Sequence, residues 1–380
     1  MIENITFSAE FISLLPMILL YIFIAIVVVQ LFYYLGVFSS FSFSKQNENN
    51  PKRIPISVIV YARNQAEEVK RLLPNLINQN YHDYELVLLD NASSDDTLYI
   101  FKEYAQLFPN IRLCQVDNNE AFWNNKKYAQ TLAIKASKNE YLLFIDAEEN
   151  IDSEYWIMAM ASNFTLNKTI ILGPEMYKKT KGFFNKIIRF DTVFAQLHSF
   201  SWTNYGAPFS YFSKNIGYKK EEFYKVNGYI THMNNRLGER EFFLNEASKS
   251  KNTTFTITKN AFVYLEPILK LKDWKLKKRE DEMILSSLNF STRFKVRFFN
   301  TSQFLFFIFA ITLLSLQIEW IITSILIAFR YLVSWIVVGK TTSKFQQKDL
   351  IWLFPILEIH RTFNQVKYSI SNIFRKKIKN

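Results

Sequence analysis

One cysteine, Cys114, occurs in 380 residues, so the chain can form no internal disulfide and no cysteine-based zinc site. A reducing compartment suits such a chain. Charge is absent from residues 11–38, a stretch long enough to span a bilayer with some tilt. A basic start is absent too. The first ten residues carry only Glu3 and Glu10, so the apolar stretch reads as a retained anchor rather than a cleaved signal peptide. The sequence has no internal repeat and no nucleic-acid-binding motif. The formal charge of +12 therefore needs another explanation, and its location supplies one. From Lys270 onward there are 19 Lys+Arg against 7 Asp+Glu, and the remainder of the chain is neutral. This basicity belongs to a membrane-adjacent third and suits anionic lipid, so a membrane and not nucleic acid is the expected partner.

Two more apolar runs cover residues 303–316 and 320–338, separated by Gln317-Ile318-Glu319. Arg330 inside the third run is costly in lipid and is expected to face another helix or to snorkel. Lys45, Lys52 and Arg53 follow the first run, Arg293, Lys295 and Arg297 precede the second, and Lys340, Lys344 and Lys348 follow the third. The positive-inside rule then puts the N-terminus outside and the middle region and C-terminus in the cytoplasm. Residues 350–357 are apolar but short and contain Pro355, which reads as an interfacial or re-entrant segment. The basic tail 375–379 would lie against the inner leaflet. Three spans are too few for the internal repeats of a transporter. The expected division is an anchor at 1–38, a polar linker at 39–53, an α/β domain at 54–285, a membrane-proximal segment with two spans at 286–340, and an interfacial segment with the basic tail at 341–380.

Within the middle region, strands and helices alternate. Ile56–Ala62, residues 85–89, Ile111–Val116 and residues 141–145 read as strands. Residues 66–78, Thr97–Leu107 and Lys126–Ala136 read as helices, the second capped by Asp95 or Asp96. This alternation implies right-handed crossovers and a mainly parallel sheet covered on both faces. Residues 181–202 mix aromatic and basic side chains, which fits either an amphipathic surface on the membrane or an ordinary buried helix.

The strand at 141–145 runs directly into Asp146, Glu148 and Glu149, where open α/β sheets bind ligands. Asp146 and Glu148 could share one hard cation, and that cation a diphosphate; an acidic cap on a following helix is the simpler alternative. At the end of the second strand, Asp90-Asn91-Ala92-Ser93-Ser94-Asp95-Asp96-Thr97 offers a carboxylate and an amide to a nucleobase and ribose, or an Asx-rich turn. Trp123-Asn124-Asn125-Lys126-Lys127 opens a helix with lysines set against its dipole. An anionic ligand there would explain them, and so would a solvated charge pair.

In sequence order, residues 56–64, the 90–97 turn, residues 125–127, Asp146-Ala147-Glu148 and Gly238-Glu239-Arg240-Glu241 resemble the motifs of family 2 glycosyltransferases with the GT-A fold. The resemblance is to the membrane-anchored processive-type and lipid-linked branch, and it covers residues 55–282. It implies an α/β fold of GT-A type, a mostly parallel sheet flanked by helices, with one N-terminal and two C-terminal transmembrane helices. It implies a nucleotide-sugar donor, a lipid-linked or glycan acceptor, and Mg2+ or Mn2+ as cofactor. Asn64, Asp90, Asn91, Lys126, Lys127, Asp146, Lys278 and Arg279 are the implied donor-binding residues, Asp146 and Glu148 the implied metal ligands, and Glu239 and Glu241 the implied catalytic bases. The stretch 206–229, with Phe212-Ser213-Lys214-Asn215, resembles the acceptor side.

The chain departs from the family pattern at several positions. Asn91 stands where a second Asp is common, Asn125 where the family has Gly, and Glu148 where it has Asp. Leu276-Lys277-Lys278-Arg279-Glu280 keeps only the arginine of the Gln-x-x-Arg-Trp element. Arg240 stands where the base carboxylate usually does, and a guanidinium accepts no proton. The base must then be Glu239 or Glu241, which a helix points to different faces. Glu239, next to Gly238 at the turn, is the expected one. The expected function is inverting sugar transfer to a membrane-associated acceptor. The alternative is a catalytically silent homologue scaffolding an envelope-polysaccharide complex.

Overall fold

A computed structural model describes residues 2–45, 53–117, 125–209, 214–235 and 237–374, with side chains from residue 14 to residue 372. Lys52, Trp123, Asn124, Phe212, Ser213 and the basic tail 375–379 lie outside the described residues. The chain divides into two compact units, residues 45–289 and residues 1–44 together with 290–380.

In the first unit four apolar segments form parallel strands: β1 (Ile56–Ala62), β2 (Tyr84–Asn91), β3 (Ile111–Val116) and β4 (Tyr141–Asp146). After them come β5 (Glu149–Ile151), β6 (Ile170–Leu172), β7 (Glu175–Tyr177), β8 (Ile216–Lys219), β9 (Thr253–Phe255) and β10 (Val263–Leu265). The main sheet has the order β3-β2-β1-β4-β8-β6-β9, and a small sheet has the order β5-β10-β7. Among the described residues of the main sheet only β8 runs against its neighbours, antiparallel to both β4 and β6; in the small sheet β5 runs antiparallel to β10. β1, β2 and β4 are buried on both faces because helices cover them, whereas the edge strand β3 is partly exposed. Ala66–Ile77 shows how: Val69, Leu72, Leu73 and Leu76 recur at helical spacing and all four are buried in the same core as Val58 and Val60 of β1.

The expected strands and helices all form, with small shifts at their ends. β2 continues past Leu89 because Asp90 and Asn91 keep pairing with Gln115 and Val116 of β3. Both polar residues are thereby drawn into the buried edge of the sheet. No helix starts at the acidic turn after β4. Glu149 begins β5 and the next helix is Trp156–Ala161, so the carboxylates at 146–149 cap nothing. The aromatic-basic segment forms the helix Phe183–Asn204, which is buried from Ile188 to Thr203 except at Asp191. It is an ordinary core helix, and Phe200 stacks on Phe255 of β9.

Among the described residues of the second unit three helical segments are long and apolar enough to cross a membrane: Leu14–Ser42, Phe290–Ser315 and Trp320–Lys344. The first departs from the expected boundary. Ser39–Ser42 is helix, not linker, because Phe41 is fully buried and Ser42 Oγ lies 2.7 Å from Thr341 Oγ1. Residues 348–353 make a 3-10 turn leading into the helix Phe354–Phe374, with Pro355 in its first turn, where a missing N–H costs nothing. Arg330 is fully buried and faces other helices. Its guanidinium donates to both oxygens of Glu358, at 2.8 and 2.6 Å, and to Gln30 Oε1 at 2.9 Å. Gln303 donates to the same Glu358 at 2.7 Å.

Candidate active site

The parallel register aligns the site. Ala62 at the end of β1 lies opposite Asp90 of β2, and Tyr61 lies opposite Asp146 of β4. Two strand spacings, about 10 Å, therefore separate the Asp90 edge from the Asp146 edge. Tyr61 bridges them. Its hydroxyl accepts from Asn91 Nδ2 at 3.1 Å, and Lys126 Nζ sits 4.6 Å from its ring centre.

On the β2 side, Asp90 and Asn91 are buried. Asp90 Oδ2 accepts from the Ser93 N–H at 3.2 Å, while Asp90 Oδ1 and Asn91 Oδ1 have no hydrogen-bond partner among the described residues. Burial pushes the Asp90 carboxyl up from its ordinary value, with Ser93 opposing. Unsatisfied buried oxygens of this kind are costly and call for a ligand or water. Asp95 behaves differently. It accepts from the N–H of Ala66 and of Thr97, which knits the turn to the next helix. Asn64, at a left-handed φ of 53°, accepts from the Ser94 N–H at 2.7 Å and so shapes the same rim. The turn is thus both things expected of it: an Asx turn at Asp95 and an open polar edge at Asp90 and Asn91.

On the β4 side, three cations meet four carboxylates. Asp146 Oδ1 takes Arg240 Nη2 at 2.7 Å, and Asp146 Oδ2 takes Lys126 Nζ at 2.7 Å with Lys214 Nζ at 3.8 Å. Lys126 also pairs with Glu239 at 2.7 Å, and Lys214 pairs with Glu148. Arg240 Nη1 donates to the Lys214 carbonyl at 2.7 Å and lies 3.8 Å from Glu149, whose other oxygen accepts the Asp146 N–H at 2.7 Å. Burial penalises Asp146 as an ion, but Arg240 and Lys126 outweigh it and hold the carboxyl well below its usual range. Burial likewise opposes the Lys126 charge, yet Asp146 and Glu239 raise it to about 12.

As placed, this donor set does not fit a divalent cation. Both Asp146 oxygens are taken by side-chain cations and Glu148 is taken by Lys214. Among the described residues no three Asp, Glu, His or Cys side chains gather as a metal site. Lys214, in the segment read as acceptor-side, reaches both of the carboxylates expected to share a metal. Sequence reasoning did not assign it to this site. Its signal, a lysine just before the strand that pairs with β4, is visible only once the sheet order is known.

The helix Glu239–Ala247 starts at Gly238, whose φ is 77°; a Cβ there would come within 2.9 Å of the Phe242 ring. The turn puts Glu239 and Arg240 into the cluster. Burial raises the Glu239 carboxyl, but Lys126 leads the attractions that bring it down to about 2. Glu241, also buried, is raised by burial and by Glu239. The other expected residues go elsewhere. Lys127 is fully buried and donates to the Asn235 carbonyl and, at 2.9 Å, to the Leu237 carbonyl, clamping the loop before Gly238. Lys278 pairs with Asp191 on the helix Phe183–Asn204. Arg279 lines a hollow of about 310 Å³ with Leu271, Lys272, Asp273, Lys275 and Leu276. None of the three joins the cluster around Asp146: Lys127 is held by the carbonyls before Gly238, Lys278 by Asp191, and Arg279 lines the hollow along its own helix.

Comparison with known proteins fits this geometry. A 4,4'-diaponeurosporenoate glycosyltransferase of Staphylococcus haemolyticus is 30% identical over 123 residues, 32% of this chain and 32% of its own length. A poly(ribitol-phosphate) beta-glucosyltransferase of Bacillus spizizenii is 30% identical over 101 residues, 26% of this chain and 16% of its own length. The chain thus spans about a third or less of these curated relatives. A mannosyltransferase from Pyrobaculum calidifontis, solved in complex with GDP-Man and Mn2+, superimposes with a TM-score of 0.55 at 13% identity, covering 89% of this chain and 98% of that one. That likeness shows the fold. The model of glycosyl transferase family 2 matches residues 57–265, more than half of the 380 residues, and the chain belongs to that family.

Proposed function

We propose that this protein moves a sugar from a nucleotide-sugar donor to a lipid-linked or glycan acceptor held at the cytoplasmic face of a membrane, with inversion at the anomeric carbon. The observation that carries this reading is the alignment of Asp90, Tyr61 and Asp146 on three neighbouring strand ends, with unsatisfied oxygens at one end and cations at the other. Asp90 and Asn91 would take the base and ribose, and Lys126 the diphosphate. The acceptor hydroxyl attacks the anomeric carbon from the face opposite the diphosphate. The bond from that carbon to the diphosphate oxygen breaks, and the hydroxyl proton passes to a carboxylate. Glu239 stands in the cluster on Lys126 and Glu241 is buried on the same helix turn, and the two differ in charge environment. A base works best with a pKa near the operating pH, and burial raises Glu241 whereas Lys126 holds Glu239 down. The three apolar helices support a membrane-bound acceptor, and the basic flanks of those helices support the cytoplasmic side.

One observation favours a second reading, a silent homologue with a scaffolding role: Arg240 is buried against the Asp146 carboxylate, at the position where the family usually has its base. Purified full-length protein in detergent, incubated with UDP-, GDP- and CMP-sugars, separates the two. Donor hydrolysis or transfer to an added glycan or polyprenyl-phosphate acceptor supports the enzyme. Donor binding without either supports the scaffold, and no donor binding sinks both.

A further inference from the structure

The cluster around Asp146 has two layers. Arg240 forms the lower one and is nearly inaccessible, with a side-chain exposure of 2%. Asp146, the Lys214 carbonyl and Glu149 hold it on three sides, and the left-handed turn at Gly238 fixes its backbone. Swinging this guanidinium out would take from Glu149 its cation and from Asp146 one of its three, all in a buried setting where lost pairing is costly. Lys126 and Lys214 form the upper layer, with side-chain exposures of 19% and 25%. Their partner Glu148 is half exposed, so water can take it over when Lys214 turns away.

A hard divalent cation needs oxygen ligands that are free to bind it. Here it would enter among three positive groups, each within 4 Å of the same carboxylate, and like charges repel most strongly where water is scarce. A diphosphate carries the opposite charge and can pair with the two lysines directly. Its oxygens can replace Glu148 on Lys214 and Glu239 on Lys126 by exchanging one anion for another. Arg240 meanwhile neutralises Asp146 beneath, as a metal ion otherwise would. The unsatisfied Asp90 and Asn91 oxygens lie about 10 Å along the sheet edge, two strand spacings away.

We infer that this site holds the diphosphate of its donor on Lys126 and Lys214 above a fixed Arg240, without a divalent cation. The inference rests on the reading of the ligand as a nucleotide sugar. It concerns how the leaving group is held, not which sugar is moved.

The test is calorimetric titration of UDP, GDP and CDP into the full-length protein in detergent, in excess EDTA and again in Mn2+. The expected result is binding of at least one nucleotide with the same Kd in both buffers. Lys214→Gln should weaken it about tenfold, the loss of one charge-assisted hydrogen bond, equally in both. Binding seen in Mn2+ and abolished by EDTA overturns the inference and leaves the donor reading standing. No binding in either buffer overturns both. As a second line, the Mn2+ electron paramagnetic resonance signal should be unaffected by wild-type protein, with or without the nucleotide. Quenching of that signal by the wild type would overturn the inference without reference to any variant. If Arg240→Asp folds by circular dichroism, its nucleotide binding should become Mn2+-dependent. EDTA-insensitive binding in that folded variant would show that Arg240 is not the group standing in for the ion.

Discussion

Arg240 Nη2 lies 2.7 Å from Asp146 Oδ1, with both side chains almost wholly enclosed. The pair joins the first turn of the helix Glu239–Ala247 to the end of β4, ninety-four residues earlier. It ties the position expected of a base to the position expected of a metal ligand. Neither residue can then be changed without changing the other's role.

The two glutamates that flank Arg240 should separate in kinetics. Glu241→Gln is expected to lower kcat by about 10²–10⁴-fold with donor affinity intact, the range for loss of a general base. Glu239→Gln removes a partner of Lys126 and should change KM for the donor more than kcat. Steady-state rates for the two variants decide the matter, and an unchanged kcat in Glu241→Gln removes it as the base.

Asp90→Ala should weaken nucleoside diphosphate binding about tenfold, the worth of one hydrogen bond to a charged group. The variant should lose at most about 1 kcal/mol of stability, since Asp90 Oδ1 has no partner among the described residues and only the Ser93 N–H loses one. A calorimetric Kd equal to wild type would detach the β2 edge from nucleoside recognition.

Stability should have two limbs in pH. Glu239 sits at about 2 against an ordinary 4.5. A folded value below the unfolded one gives a contribution that is full above pH 4.5 and lost as pH falls toward 2. Glu149 is raised by burial to about 8 from 4.5, so its contribution is present below pH 4.5 and lost as pH rises through 8. Urea midpoints should accordingly be highest at about pH 5. Glu239→Gln should flatten the acid limb and Glu149→Gln the alkaline one. A limb that keeps its slope in its own variant refutes the assignment of that limb.

In the membrane unit, Arg330→Leu and Glu358→Leu should each destabilise by about 3–5 kcal/mol, because each leaves a buried charge alone. The double variant should be milder than either single one. Thermal unfolding in one detergent for all four proteins tests this, and additive losses in the double variant would contradict the pairing.

Topology is open to single-cysteine labelling in a background with Cys114 replaced. Labels at Asn4 and in the 317–319 turn should react from outside, and labels between Asp90 and Glu280 only after permeabilisation. External labelling of that middle region would remove it from the compartment proposed for its donor.

The parallel core was legible from the sequence because β1, β2 and β4 hold near-continuous apolar runs, and helices such as Ala66–Ile77 carry a one-sided apolar stripe. Asp90, Asn91 and Asp146 were legible for a related reason: they end such runs. Lys127 and Lys278 were expected at the donor, but each is turned toward a carbonyl or carboxylate more than eighty residues away. No local pattern encodes such a partner. The same holds for Lys214, which reaches Glu148 across sixty-six residues of sequence. At Ser39–Ser42 polar residues hid a helix, because serine hydroxyls bond back to carbonyls of their own turn, as Ser42 does to Phe38 at 2.9 Å.

The membrane unit closes only through residues from distant parts of the chain, and this bears on its biogenesis. Gln30 contacts Arg330, three hundred residues later, and Arg330 binds Glu358 a further twenty-eight residues on. At ordinary synthesis rates the first helix waits about 15–60 s for its partner. The whole domain of residues 45–289 emerges from the ribosome in that interval. Glu358 follows last, so the Gln30–Arg330–Glu358 network closes only when the helix Phe354–Phe374 joins the unit.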